Sequence, residues 1–192
     1  MYNTNSMTGC VFMLVYILLA EGFEESEAVV PADLLSRAGA QVRFVSASVS
    51  KDVEGSHGIH ICADDYIDEI DMDAMEAVIL PGGGKGTALL AADSRVISII
   101  DSAFKQGKYI CTICAAPSIL ASMGLLDGRK ATCYPSFSKY LEKSIYTGAD
   151  TERDDIFITG KAAGTAYQFA LKIVQALFGD SVSDKIKNDI CL

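Results

Sequence analysis

The chain has 192 residues, half of them apolar and about a fifth charged, which suits one domain with a substantial core rather than a disordered chain. Sixteen basic against twenty-five acidic residues give a net charge of −9. Such a surface repels phosphate backbones and anionic lipid, so nucleic acid and membrane surfaces are excluded as expected partners. Six cysteines, at 10, 62, 111, 114, 133 and 191, show no compact secreted spacing and read as free thiols in a reducing cytoplasm.

In chain order, Met1 to Ser6 reads as a frayed polar leader, with Met7 an alternative start. Val11 to Ala20 is apolar, but ten residues fall short of the roughly 20 that a membrane helix needs. There is no Lys or Arg before Arg37, so the segment lacks the basic flank of a signal peptide. Val11 to Leu19 therefore reads as a strand buried on both faces. Glu24 to Ala38 has helical periodicity and closes at Gly39. Val42 to Ser46 is a second strand. Val53 to Cys62 holds the turn signal Glu54-Gly55-Ser56-His57-Gly58 and reads as a hairpin.

Ala77 to Leu80 is a short buried strand running into Pro81-Gly82-Gly83-Gly84. Ser94 to Gln106 is helical, Tyr109 to Ile113 a strand, and Ala115 to Met123 a helix stopped by Gly124. Lys130 to Cys133 reads as a short strand, Ile156 to Thr159 as the last strand, and Gly164 to Phe178 as a closing helix. Continuous apolar strands alternating with helices predict a parallel sheet covered on both sides, in a single domain over residues 1–192. Reactive groups in such sheets gather beyond the strand carboxyl ends.

Three of those ends carry candidates. After the first strand come Glu24, Glu25 and Glu27, acids in the opening turn of a helix. Dipole complementarity accounts for Glu24 and Glu25, at about 0.3–1 kcal/mol each. The second end, Gly82 to Gly84, lets backbone approach a ligand and offers N–H groups to an anion, with a plain tight turn as the alternative. Gly84-Lys85-Gly86 fails the Walker A pattern, and no dinucleotide fingerprint follows. The third end is Cys111-Thr112-Ile113-Cys114-Ala115-Ala116-Pro117. A redox Cys-x-x-Cys is rejected: Cys111 lies inside the strand, and at roughly 3.3 Å per residue it stands about 10 Å from Cys114, too far for a disulfide. Cys114 sits where strand becomes helix, where a helix N-terminus favours the thiolate. A buried structural cysteine is the competing account.

These motifs, with Leu19-Ala20-Glu21-Gly22-Phe23-Glu24-Glu25-Ser26-Glu27-Ala28, Asp33 to Gly39 and Gly164-Thr165-Ala166, resemble the ThiJ/PfpI superfamily in its Parkinson-disease-protein deglycase branch. The match runs in order from about Val11 to Gly179. The resemblance implies an α/β flavodoxin-like three-layer sandwich with a mostly parallel sheet, forming a homodimer and needing no metal or cofactor. It implies Cys114 as nucleophile and redox-sensitive thiol, Glu27 as its acid, and backbone N–H groups of Gly82, Gly83 and Ala115 as an anion site. His57 and Tyr134 match positions beside the pocket or the partner subunit, and Cys62 a position near the dimer contact. The implied activity is on small reactive carbonyls such as methylglyoxal or their protein adducts. An oxidative-stress sensor or chaperone-like protein is an alternative, and a thiazole monophosphate (thiamine) biosynthesis label a third.

Two departures narrow this. Cys133-Tyr134-Pro135 stands where several relatives have Thr-His-Pro, and Ala115 follows the cysteine where the protease branch has histidine. A Cys–His pair is thus missing, which points away from proteolysis. Lys161-Ala162-Ala163-Gly164 also replaces an Arg-Gly-Pro-Gly type loop. His57, His60 and Cys62 share the hairpin, but no further ligand for a metal is evident.

Overall fold

A computed structural model describes residues 13–192. The leader, Met7, Cys10 and the first two residues of the expected opening strand lie outside them. The strand itself is β1, Leu14–Leu19. It is followed by α1 (Glu25–Arg37) and β2 (Gln41–Ser46). The hairpin is present as β3 (Asp52–Glu54) and β4 (His60–Cys62), and a two-residue strand β5 (Asp65–Tyr66) follows it. Next come β6 (Met75–Leu80), α2 (Gly84–Ala92), α3 (Ser94–Lys105) and β7 (Tyr109–Ile113). The rest is α4 (Pro117–Ser122), β8 (Lys130–Ala131), β9 (Ile145–Tyr146), β10 (Thr151–Asp154), β11 (Phe157–Gly160), α5 (Ala166–Phe178) and α6 (Asp180–Asp189).

The main sheet has seven strands in the order β10-β11-β7-β6-β1-β2-β5. All its pairs are parallel except β10 with β11. Side chains alternate across each strand, so neighbouring residues feed opposite cores. Leu18, Val78, Leu80 and Ile110 pack with Val96 and Ile100 of α3 and Ile119 and Leu120 of α4. Ile17, Leu19, Ile79 and Ile113 pack with Leu34 and Leu35 of α1 and Phe169, Ile173 and Val174 of α5. The result is a flavodoxin-like sandwich, helices on both faces of a mostly parallel sheet.

Sequence reasoning missed β5, β9, β10, α2 and α6. It ended the glycine segment in a loop, whereas α2 begins at Gly84. It also overextended the helix after Cys114, which spans only six residues from Pro117.

The chain turns from β1 to β2 on one side, and β6 then returns to the other side of β1. The crevice of such a sheet opens at that switch, outside the carboxyl ends of β1 and β6. The start of α1, the segment after β6 and the end of β7 all converge there.

Candidate active site

Cys114 follows the last residue of β7 with a φ of 64°, a left-handed conformation that a non-glycine residue holds only at a cost. Its backbone is fixed at both ends. The N–H donates to Gly160 O at 3.0 Å, and the carbonyl accepts from Tyr134 N–H at 2.8 Å. The turn closes with Ala116 N–H on Ile113 O at 3.1 Å. This is the geometry of a nucleophile elbow. The Cys114 thiol is half-buried, while Cys111 and Cys133 are buried.

Glu27 comes from the first turn of α1 and is wholly buried. One oxygen, Oε2, accepts from Gly82 N–H at 2.8 Å. The other, Oε1, meets no nitrogen or oxygen donor. An ionised carboxylate with a bare buried oxygen is costly, and a protonated one is not. Burial accordingly pushes Glu27 up to about 7, with Gly82 N–H and the Cys114 thiol pulling it down and the charge of Glu24 adding to the rise.

Gly82 is what lets the two side chains meet. A Cβ on Gly82 would stand 2.6 Å from Cys114 Cβ, 2.6 Å from Glu27 Oε2 and 3.1 Å from Cys114 Sγ. Gly83 adopts a φ of 91° and would place a Cβ against the backbone of Gly22, Phe23 and Glu24. Glycine is required there by conformation and by space.

Burial pushes the Cys114 thiol up to about 12, helped by the Glu27 charge and hydrogen bond, while the N–H groups of Gly83 and Ala115 pull it down. The Glu27 contributions hold only while that carboxyl is ionised. Once protonated it carries no charge and can donate to sulfur, which leaves burial raising the thiol against the two amides that lower it. With α4 so short, it is these two local amides, rather than a long helix dipole, that face the sulfur.

The structure thus brings Cys114, Glu27, Gly82, Gly83 and Ala115 together, although the Gly82 N–H serves Glu27 rather than the sulfur. Tyr134 reaches Cys114 through a backbone hydrogen bond, and its side chain is exposed. Cys62 stands exposed on β4, its thiol turned to Ala63 O. His60 pairs with Asp52 across the hairpin.

Glu25 corrects the sequence reading. It is buried rather than an exposed partner of the helix dipole. Its Oε1 accepts from His57 N–H at 2.6 Å, and its Oε2 from Ser56 Oγ at 3.2 Å and His57 Nδ1 at 2.9 Å. Burial pulls this carboxyl upward, but the His57 ring and the backbone amides outweigh it and hold it at about 2. Glu25 therefore latches the tip of the β3–β4 hairpin onto α1. A turn-forming Ser-His-Gly opposite an acidic helix start was the only signal for it, and sequence alone does not pair them.

Fold and site together define a class: α/β proteins with a half-buried cysteine at a strand–helix elbow, beside a buried carboxylic acid. Within that class, the sequence pattern of the DJ-1/PfpI family matches residues 13–176, and the chain belongs to that family. It is 36% identical over 166 residues to protein dj-1beta of Drosophila melanogaster, covering 85% of this chain and 88% of that one. The crystal structure of Drosophila DJ-1beta matches with a TM-score of 0.90 at 31% identity, over 94% of this chain and 98% of that one. The chain is also 31% identical over 178 residues to the glutathione-independent glyoxalase DJR-1.2 of Caenorhabditis elegans, covering 92% and 94%. It is 30% identical over 167 residues to deglycase TK1284 of Thermococcus kodakarensis, covering 86% and 99%.

Proposed function

We propose that this chain is a cofactor-free, cysteine-dependent enzyme acting on small reactive carbonyls such as methylglyoxal, or on their early adducts with proteins. One observation carries the reading: the Cys114 sulfur and the Glu27 carboxyl meet over Gly82, where only glycine leaves room for both. The names of the worm glyoxalase and the archaeal deglycase supply the substrate class.

Cys114 thiolate adds to the aldehyde carbon, and the carbonyl oxygen takes a proton to give a hemithioacetal. Amides that hold the sulfur, from Gly83 and Ala115, also suit the oxyanion formed beside it. Glu27 in its carboxylate form removes the proton from the former aldehyde carbon, giving an enediolate, and returns it to the neighbouring carbon. The product is a lactoyl thioester, which water hydrolyses to lactate, freeing the thiol. A carboxyl at about 7 can both take and give that proton near neutrality.

Lactate formation from methylglyoxal tests this. Wild type should turn over, and Cys114→Ser and Glu27→Gln should not. Equal rates in wild type and Cys114→Ser would overturn it.

A half-buried sulfur facing two amide donors and a carboxyl also suits an oxidation sensor. Two equivalents of peroxide would convert the thiolate to a sulfinate with release of two waters, its oxygens held by those donors. Intact mass after mild peroxide should then rise by two oxygens at Cys114 alone.

We further propose a homodimer in a reducing cytoplasm. Its support is an apolar depression of about 510 Å³ between α1 and the hairpin tip, where Val29 and Ile59 are exposed. Light scattering should give twice the chain mass, and Val29→Glu should return it to one. No helix among the described residues is long and apolar enough to cross a membrane.

A further inference from the structure

The segment 130–134 lies outside the main sheet. Its first two residues form β8, which pairs with β9 in a separate two-stranded sheet. Ala131 and Cys133 are buried in the core that α3 and α4 cover. Every second N–H along the segment meets an acceptor from a different element. Lys130 N–H donates to Asp154 Oδ2 at 3.0 Å, Thr132 N–H to Thr159 Oγ1 at 3.0 Å, and Tyr134 N–H to Cys114 O at 2.8 Å. The first of these is exposed, whereas Thr132 and Thr159 are both buried. The Thr132 hydroxyl donates onward to Ala149 O at 2.7 Å.

Thr159 belongs to β11, whose backbone is bonded to β7 on one side and β10 on the other. With its backbone committed to those ladders, a side chain is what β11 can offer to a segment packed on its face. Both ends of the Thr132–Thr159 contact lead to Cys114. Gly160, next to Thr159, accepts the Cys114 N–H at 3.0 Å, and Tyr134, two residues past Thr132, holds the Cys114 carbonyl. Cys114 has a φ of 64°, and a strained residue persists only where its surroundings over-determine it.

We propose that Thr159 is a positioning residue for Cys114: its buried hydroxyl fixes the segment 132–134, so that Tyr134 N–H and Gly160 O together hold the cysteine in its left-handed elbow.

Without that hydroxyl the Thr132 N–H is buried with no acceptor, a costly state that the segment relieves by moving. Tyr134 moves with it. Cys114 is then held at its N–H alone and relaxes out of the left-handed region, carrying its sulfur away from Glu27 and Gly82. The fold contains its own comparison. Thr112 on β7 is the cross-strand neighbour of Thr159 and is as deeply buried. Its hydroxyl meets no partner among the described residues. The two threonines thus differ in the contact and not in burial.

The placement rests on hydrogen bonds alone, and its effect on turnover rests on the proposed function. The test compares wild type, Thr159→Val, Thr159→Ser and Thr112→Val by amide hydrogen exchange and by lactate formation from methylglyoxal. In Thr159→Val the Thr132, Tyr134 and Cys114 amides should exchange about tenfold faster or more, measured relative to Ile17 and Ile79 in the same sample. A merely structural role would speed all five by one factor. Lactate formation should lose at least about tenfold in kcat at unchanged KM, since a displaced nucleophile reacts poorly while Thr159 touches no substrate. Thr159→Ser should restore both quantities, and Thr112→Val should alter neither.

Unchanged relative exchange in Thr159→Val, or the same change in Thr112→Val, would overturn the proposal. If Thr159→Val does not fold, Thr159→Ala, which puts no bulk against the buried N–H, decides by the same outcomes. Failure of both to fold beside a folded Thr159→Ser would mark a structural role only and overturn it as well. Faster exchange with unchanged kcat would refute the positioning role and leave the proposed function standing. Exchange that shifts as expected in a wild-type background that forms no lactate would sink the function and leave the hold on Cys114 intact.

Discussion

Gly82→Ala is the sharpest test of the site because it adds one carbon and changes little else. Gly82 is not among the residues with positive φ, so alanine meets no backbone penalty of that kind. The cost is steric. The new carbon would stand 2.6 Å from both Cys114 Cβ and Glu27 Oε2, well inside contact distance, and all three groups are held by backbone. Cys114 cannot retreat easily, since Gly160 O and Tyr134 N–H fix its peptide groups. Glu27 cannot either without breaking its bond to Gly82 N–H. Overpacking of this kind costs about 1–3 kcal/mol. Separating the pair also removes the carboxyl from the sulfur. The expected result is a variant that folds, melts several degrees lower and alkylates at Cys114 at least about tenfold more slowly, the equivalent of one pKa unit. Thermal denaturation by circular dichroism and iodoacetamide kinetics read both quantities. Wild-type stability together with a wild-type alkylation rate would refute the reasoning that glycine at 82 exists to let Cys114 and Glu27 meet.

Three further outcomes follow from the same geometry. Glu27→Gln should gain stability relative to wild type as pH rises, measured by urea titration across pH. Glu27 is raised to about 7, so its contribution is full below the ordinary carboxyl range, near 4.5, and is lost as pH climbs through about 7. Glu25→Ala should lose about 1–3 kcal/mol, because the hairpin tip loses the charged acceptor that ties it to α1; its wild-type carboxylate should add stability above about 4.5 that disappears as pH falls through about 2. Brief iodoacetamide treatment of folded protein, followed by peptide mapping, should label Cys114 and the exposed Cys62 and Cys191 but spare Cys111 and Cys133, which burial raises and shields.

Chain order alone carried the sequence reading a long way on the sheet. The β1, β6 and β7 segments are largely apolar on both faces, β2 on one, and each lies close to a glycine or proline, so their type was readable. Where pairing depends on partners distant in sequence, the reading failed. Nothing in Thr151-Glu152-Arg153-Asp154 signals a strand, because its identity comes from antiparallel bonding to β11. The segment Gly84 to Ala92 hides a helix behind three glycines that argue for a loop. Cys114 could be singled out by its place at a strand end, and Glu27 by the motif around it. The division of labour among Glu24, Glu25 and Glu27 could not be read. Three acids within four residues look alike until the hairpin claims one, Gly82 claims another, and the third is left between them.

That division bears on the missing histidine. A Cys–His pair makes thiolate by giving sulfur a cationic partner. At the corresponding position this chain offers Tyr134, joined to Cys114 through a backbone hydrogen bond while its side chain is exposed. A neutral carboxylic acid can serve only if something keeps it neutral. Burial of Glu27, the bare Oε1 and the negative charge of Glu24 all act in that direction. A chain built this way should lose reactivity at Cys114 when Glu27 is replaced by alanine, whereas one relying on a cationic partner should gain it once a nearby carboxyl is removed. The sign of that single change separates the two designs.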